Sequence, residues 1–125
     1  MAEHNELGKD GENEAALYLK KKGYTILEQD WKFGKRDIDI IALNETGAIL
    51  VFVEVKTRRN NEYTNPEDAV DRKKMVNIRI CANAYVKAKN VPNELRFDII
   101  SIIGRGSQNM KIEHIEDAFN PLLVR

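Results

Sequence analysis

Small and apolar residues recur every four positions at Leu7, Gly11, Ala15 and Leu19, with Tyr18 alongside, so the spacing predicts an amphipathic helix over residues 7–22. Gly23 follows in the place of a C-terminal cap. The pattern then changes to short apolar runs, predicting strands over residues 24–31, 37–43 and 48–57. A loop around Gly34 separates the first two, and Asn44-Glu45-Thr46-Gly47 forms a hairpin-type connection between the next two. Residues 60–65 are polar and read as a loop. Asn65-Pro66-Glu67-Asp68 then has the marks of a helix start: a capping Asn, Pro in the first turn and acids near the positive end. That helix is expected to reach about residue 89 and to bury Ala69, Val76, Ile80, Ala84 and their neighbours. Asn90-Val91-Pro92-Asn93 breaks it, and strands over residues 95–103 and 110–115 follow, joined by a turn at residues 104–107. The order α-β-β-β-α-β-β is that of an α/β layered domain.

Two of these strands carry charge where the run is most apolar. Ile49-Leu50-Val51-Phe52-Val53-Glu54-Val55-Lys56 includes Glu54 and Lys56, and Asp37-Ile38-Asp39-Ile40-Ile41 includes two aspartates. Charge in a buried strand costs several kcal/mol unless it is paired or bound to a cation. Alternation puts Asp37 and Asp39 on one face, and likewise Glu54 and Lys56. If Leu43 pairs with Ala48, Asp37 faces Glu54 and Asp39 faces Phe52. Any register opposing odd positions of the first strand to even positions of the second brings all four to one side. Asp39 and Glu54 are then close enough, roughly 7 Å between Cβ atoms or less, to reach one divalent ion. Glu12 borders the helical stripe of Ala15, Ala16 and Leu19 and is expected to lie against the sheet.

This combination suits phosphodiester hydrolysis. Carboxylate oxygens favour Mg²⁺ or Mn²⁺, which keep several waters and accept phosphate oxygens. Such an ion acidifies water and screens charge building on the phosphate. A neighbouring lysine can orient the attacking water or stabilise the pentacoordinate phosphorus. An acidic-x-Lys triplet has no specificity alone, since Asp30-Trp31-Lys32 and Asp71-Arg72-Lys73 also fit it. Only Glu54-Val55-Lys56 lies in an apolar strand behind a hairpin partner with acids on the matching face. For Glu54 and Lys56 alone, the plain alternative is an ion pair within one strand at a sheet edge.

Bulk properties narrow the setting. A length of 125 residues suits one domain, residues 1–125. No apolar run approaches the roughly 18 residues needed to cross a bilayer, so no membrane partner is expected. The polar, acidic N-terminus has no apolar signal region, and Cys81 is the single cysteine, so a cytoplasmic location is expected. His4 and His114 stand far apart without a second cysteine, which argues against zinc. Twenty basic residues balance twenty acidic ones, so binding to nucleic acid would rest on local clusters: Lys32, Lys35 and Arg36; Lys56, Arg58 and Arg59; and the basic stretch containing Lys73 and Lys74.

The motifs Gly8-Lys9-x-Gly11-Glu12-x-x-Ala15, Gly23-Tyr24-x-Ile26-Leu27, Asp37-Ile38-Asp39-Ile40-Ile41-Ala42 and Val51-Phe52-Val53-Glu54-Val55-Lys56-x-Arg58 closely resemble the bacterial YraN-like family. Ala69-Val70 before Lys73-Lys74, Arg96-Phe97-Asp98-Ile99-Ile100, and His114-Ile115 before Ala118-Phe119 extend the likeness over nearly the whole chain. That family is similar to the PD-(D/E)xK nuclease superfamily, with archaeal Holliday junction resolvases as distant relatives. The resemblance implies a restriction-endonuclease-like mixed sheet with flanking helices. It also makes Asp39 the aspartate of the pattern, Glu54 and Lys56 the (D/E)xK pair, and Glu12 the helix glutamate of the resolvase branch. The family usually has Gly-Glu where Arg36-Asp37 stands here; Asp keeps the charge but shortens its reach.

The expectation is a metal-dependent DNA endonuclease, acting on branched or damaged DNA. Asp39 and Glu54 would bind Mg²⁺ or Mn²⁺, Lys56 would assist the attacking water, and Glu12 would hold metal-linked water or a second ion. Arg36, Arg58, Arg59, Lys73 and Lys74 would contact backbone phosphates, which positions DNA without reading its sequence. A near-neutral domain would bind weakly unless it formed a homodimer or used a partner. The rival readings are a non-catalytic nucleic-acid-binding or adaptor module on a nuclease-like scaffold, and a protein-interaction domain.

Overall fold

The computed structural model describes residues 2–58, 70–104 and 110–121, with side chains from residue 10 onward. Helix α1 (Ala2–Lys21) leads into β1 (Thr25–Phe33), β2 (Arg36–Leu43) and β3 (Ile49–Arg58); α2 (Arg72–Lys89), β4 (Glu94–Ile103) and β5 (Lys111–Ile115) follow. The element order is the one the hydrophobic pattern predicts. The strands form one sheet in the order β1-β2-β3-β4-β5. It is mixed: β3 and β4 run parallel, and the other neighbours are antiparallel.

Each helix ends where local chemistry requires. Gly23 at φ +100° lets α1 close with Tyr24 N–H donating to Leu19 O and Gly23 N–H to Lys20 O, a Schellman pattern. Residues 65–68 lie outside the described residues, but the expected helix start there is corrected: Val70 and Asp71 are not helical, so the helix that reaches Lys89 starts later. Helix α2 begins at Arg72, where the Asp71 carboxylate accepts the Lys74 amide at 2.9 Å as N-cap.

The helices cover opposite faces. Ala15, Ala16 and Leu19 of α1 pack on Ile40, Ala42, Val51, Val53, Ile100 and Ile102. Ile78, Cys81, Ala82 and Tyr85 of α2 pack on Ile41, Leu50, Phe52, Phe97 and Ile99. The expected α2 stripe of Val76, Ile80 and Ala84 is therefore corrected: these three are half-buried, and the buried stripe is rotated onto Ile78, Cys81, Ala82 and Tyr85. The helix offers two apolar stripes, and the Tyr85 ring decides between them by standing edge-on to both Trp31 and Phe52.

Two registers also differ from expectation. Leu43 pairs with Leu50 rather than Ala48, because Asn44 closes a longer turn. Its amide donates to Ile49 O, and its side-chain oxygen accepts the Ile49 amide, both at 3.0 Å. The shift is two residues, so odd still opposes even. The β1–β2 connection is shorter than expected: the strands run to Phe33 and Arg36, which pair. Only Gly34 and Lys35 remain in the turn, and Gly34 takes the positive φ (+64°) that such tight hairpins demand.

Candidate functional site

Where the β2–β3 ladder ends, a carboxylate continues it. Ile40 and Val53 are the last backbone pair; one residue further, Asp39 turns its Oδ2 onto the Val55 amide at 2.8 Å. Glu54 is the cross-strand neighbour of Asp39 in this register and is only 7% exposed. The strand is not regular here. Ile38 belongs to the α2-side cluster and Ile40 to the α1-side cluster, although two residues apart on a regular strand share a face. On β1, the register places Asp30 opposite Asp39, and Asp30 has a left-handed backbone at φ +50°. Both strands thus reset their alternation at this pair, and Asp37 and Asp39 do not lie on one flat face as strict alternation predicts.

The electrostatics follow from burial and mutual repulsion. The Asp39 carboxyl is pushed up to about 7, mainly by burial and then by the charge of Glu54, against the opposing pull of the Val55 amide and Lys74. Burial likewise raises Glu54, even though Lys74 places its Nζ 2.9 Å from Glu54 Oε2. Lys74 is thus brought to the carboxylates rather than to the open surface among phosphate-binding cations. Periodicity hides this, because only the tertiary packing of α2 on the sheet sets the pair. Its one local sign is the N-cap Asp71, which aligns the first turn.

Glu12 approaches from the α1 side. It is half-buried, as its helical stripe predicts, and its carboxyl is pushed up to about 7 by burial, then by Asp39, Asp30 and Asp37. Gly11 makes this approach feasible: a Cβ there would run into Thr57 Cγ2 of β3. A small residue at this crossing lets the helix bring Glu12 down toward the end of the sheet.

The remaining candidates divide. Lys56 is exposed and two residues along β3 from Glu54. Arg36 donates from Nε to Asn77 of α2 at 3.2 Å, so its side chain lies toward the helix rather than beside Asp37. Asp37 is exposed, and its charge reaches Glu12, Asp39, Glu54 and Lys74. Lys73 is exposed, Arg58 is half-buried beside Gly104, whose amide donates to its carbonyl, and Arg59 lies outside the described residues.

Among the described residues, no three His, Cys, Asp or Glu side chains gather closely enough to enclose a metal. Asp39 and Glu54 therefore offer a two-carboxylate set. Mg²⁺ is commonly held this way, with water and phosphate completing its shell.

A second charged cluster lies on the α1 side of β4. Asp98 is fully buried and accepts Arg96 Nε and Nη2 at 2.9 Å each, the Asp117 amide at 3.0 Å, and pairs with His114 Nε2 at 2.8 Å. Arg96 Nη2 donates to Tyr24 Oη at 2.6 Å. With its acceptors met, Asp98 has the character of a structural clamp joining β4, β5 and the end of α1.

A model of the family described as "Uncharacterised protein family UPF0102" matches residues 11–102, the span from the Gly11–Thr57 crossing through β4. The chain belongs to the UPF0102 family. A UPF0102 protein of Phocaeicola vulgatus is 49% identical, over 97% of this chain and 98% of its own length. One of Bacteroides thetaiotaomicron is 47% identical over 98% and 99%, and one of Flavobacterium psychrophilum is 48% identical over 95% and 98%. UPF0102 membership agrees with the YraN-like resemblance read from the hairpin motifs. Among the described residues, no helix is long and apolar enough to cross a membrane.

Proposed function

We propose that this UPF0102 protein is a metal-dependent endonuclease that hydrolyses DNA phosphodiester bonds, in branched or damaged structures. One observation carries the reading: Asp39 and Glu54, on adjacent strands, are held together away from water with both carboxyls above their ordinary range. Carboxylates that repel each other in a poorly solvated place are relieved by a divalent cation.

In this reading Asp39 and Glu54 hold Mg²⁺ or Mn²⁺. The ion, when bound, supplies a Lewis acid that acidifies water and screens charge on the phosphate. Lys56 orients the attacking water, and Lys74 positions Glu54 through their ion pair. Glu12, poised near 7, takes or returns a proton at neutral pH. Arg36, Arg58, Arg59 and Lys73 contact phosphates.

The second reading, a non-catalytic nucleic-acid-binding or adaptor module, draws on the Lys74–Glu54 pair, because an ammonium already balances one carboxylate there. Purified protein incubated with supercoiled, single-stranded and four-way-junction DNA plus Mg²⁺ or Mn²⁺ separates the two. Cleavage that depends on the metal and is lost in Asp39→Asn and Lys56→Ala supports the nuclease. Binding without turnover supports the module, and turnover unchanged in both variants rejects the assignment of the site.

A further inference from the structure

The β1–β2 hairpin carries an aromatic side chain that is largely open to solvent. Phe33 is 47% exposed, at the end of a strand and beside a two-residue turn. Its ring lies parallel to Trp31, at an interplanar angle of 5° and a centroid separation of 6.5 Å. Trp31 in turn stands edge-on to Tyr85, 5.1 Å between centroids, so the ring below Phe33 is anchored to α2. Phe33 thus meets Trp31 on one side while almost half of the residue is open to solvent. An aromatic face open to solvent is free to stack on a planar partner.

Its surroundings say what chemistry would cover it. Lys35 is exposed beside Gly34; Lys32, next to Phe33, is exposed and holds Asp30 at 3.2 Å, and Arg36, which donates to Asn77, pairs with Phe33 across the hairpin. Cations interleaved with a presented aromatic face match a phosphate backbone whose bases are free to stack. In a paired duplex the base faces are already stacked on one another and give Phe33 no partner. Arg36 and Asp39 lie on the same strand, three residues apart, or about 10 Å. A nucleotide on Phe33 would thus have its neighbouring phosphates within reach of the carboxylates.

We propose that the β1–β2 hairpin is a stacking platform for an unpaired nucleobase, so that the chain takes DNA through single-stranded nucleotides beside the Asp39–Glu54 pair. This deepens the nuclease reading and rests on it for the role of that pair. Trp31 is the only tryptophan in the chain, so its emission reports on the hairpin alone.

The test titrates wild type and Phe33→Ala, in EDTA, with a single-stranded oligodeoxynucleotide and a blunt duplex of the same sequence. Trp31 emission and binding are followed, with cleavage in Mn²⁺ measured alongside. The expected result is a change in Trp31 emission with the single strand, about tenfold weaker single-strand binding in Phe33→Ala, and recovery in Phe33→Tyr. Duplex binding should change little. Equal binding of single strand by wild type and Phe33→Ala overturns the proposal. So does a Phe33→Ala effect confined to oligomeric state on gel filtration, which would make the ring a contact between copies. Phe33-dependent binding without cleavage would retain the platform and reject the nuclease; metal-dependent cleavage with no role for Phe33 would do the reverse.

Discussion

Lys74 of α2 holds its ammonium 2.9 Å from Oε2 of Glu54 on β3, and this pair ties the helix to the strand end where the carboxylates meet. The Glu54 side chain is 8% exposed and that of Lys74 43%, so the acid depends on the pair more than the base does. Lys74→Met leaves a buried carboxylate without its counter-charge. A loss of about 1–2 kcal/mol is expected in urea denaturation at pH 8, less than for a fully buried pair because water reaches the lysine. The loss should be smaller at pH 5, because burial raises the Glu54 carboxyl and a falling pH favours its protonated form, which needs no counter-charge. An equal loss at both pH values would contradict this role.

Asp39 and Glu12 both stand near 7, against ordinary values of 3.8 and 4.5. A carboxyl raised on folding binds its proton more tightly in the native state than in the unfolded one. Stability from these two groups is therefore full below about pH 4 and falls as pH rises through 7. Asp39→Asn removes one of the two charges while keeping an oxygen for the Val55 amide. It should raise the melting temperature at pH 8 by about 5 °C and flatten the decline between pH 5 and pH 8. A variant less stable than wild type at pH 8 would refute the repulsion.

A divalent cation competes with these protons. Mn²⁺ should stabilise the wild type more at pH 8 than at pH 6, by about 2–3 kcal/mol at a hundredfold excess over its dissociation constant. Glu54→Gln should lose most of that gain. A melting shift that persists in Glu54→Gln would place the ion elsewhere.

Gly11→Ala tests the crossing of α1 over β3. Alanine favours a helix by about 1 kcal/mol over glycine, so an open site would give stabilisation. Here the added Cβ meets Thr57 Cγ2, and a net loss of about 1–3 kcal/mol is expected. Thr57→Ser, which removes that methyl, should restore much of the loss in the double variant. An additive double variant would show that the two residues do not touch.

Asp98→Ala removes the centre of the clamp and leaves Arg96 with only Tyr24 Oη and the longer 3.7 Å pair to Glu116. Burial alone would raise the Asp98 carboxyl, but His114, Arg96 and the Asp117 amide outweigh it and hold it below the usual carboxylate range. Its contribution is therefore present above about pH 4 and lost only as pH falls through the lowered value. At pH 7 the variant should lose about 3–5 kcal/mol, with site carboxylates untouched. A loss under 1 kcal/mol would mean that the cluster is solvated.

What the sequence determined by itself was local. The four-residue spacing through Ala15 and Leu19, the glycine at 23 and the apolar runs settle the helix, its end and the strands, because these depend on neighbours within a few residues. Parity placed Asp39 and Glu54 together, since a two-residue register shift leaves faces unchanged. The candidate pair was thus legible before any coordinates. Three features were decided only by tertiary structure. The buried stripe of α2 depends on Tyr85 meeting Trp31 and Phe52. The reset of alternation at Asp30 and Asp39 needs the left-handed Asp30 and its partner strand. Lys74 reaches Glu54 only because α2 packs on the sheet with its first turn near β3. Each depends on contacts between residues far apart in the chain, and periodicity records only which side of an element is apolar, not which neighbour it will meet.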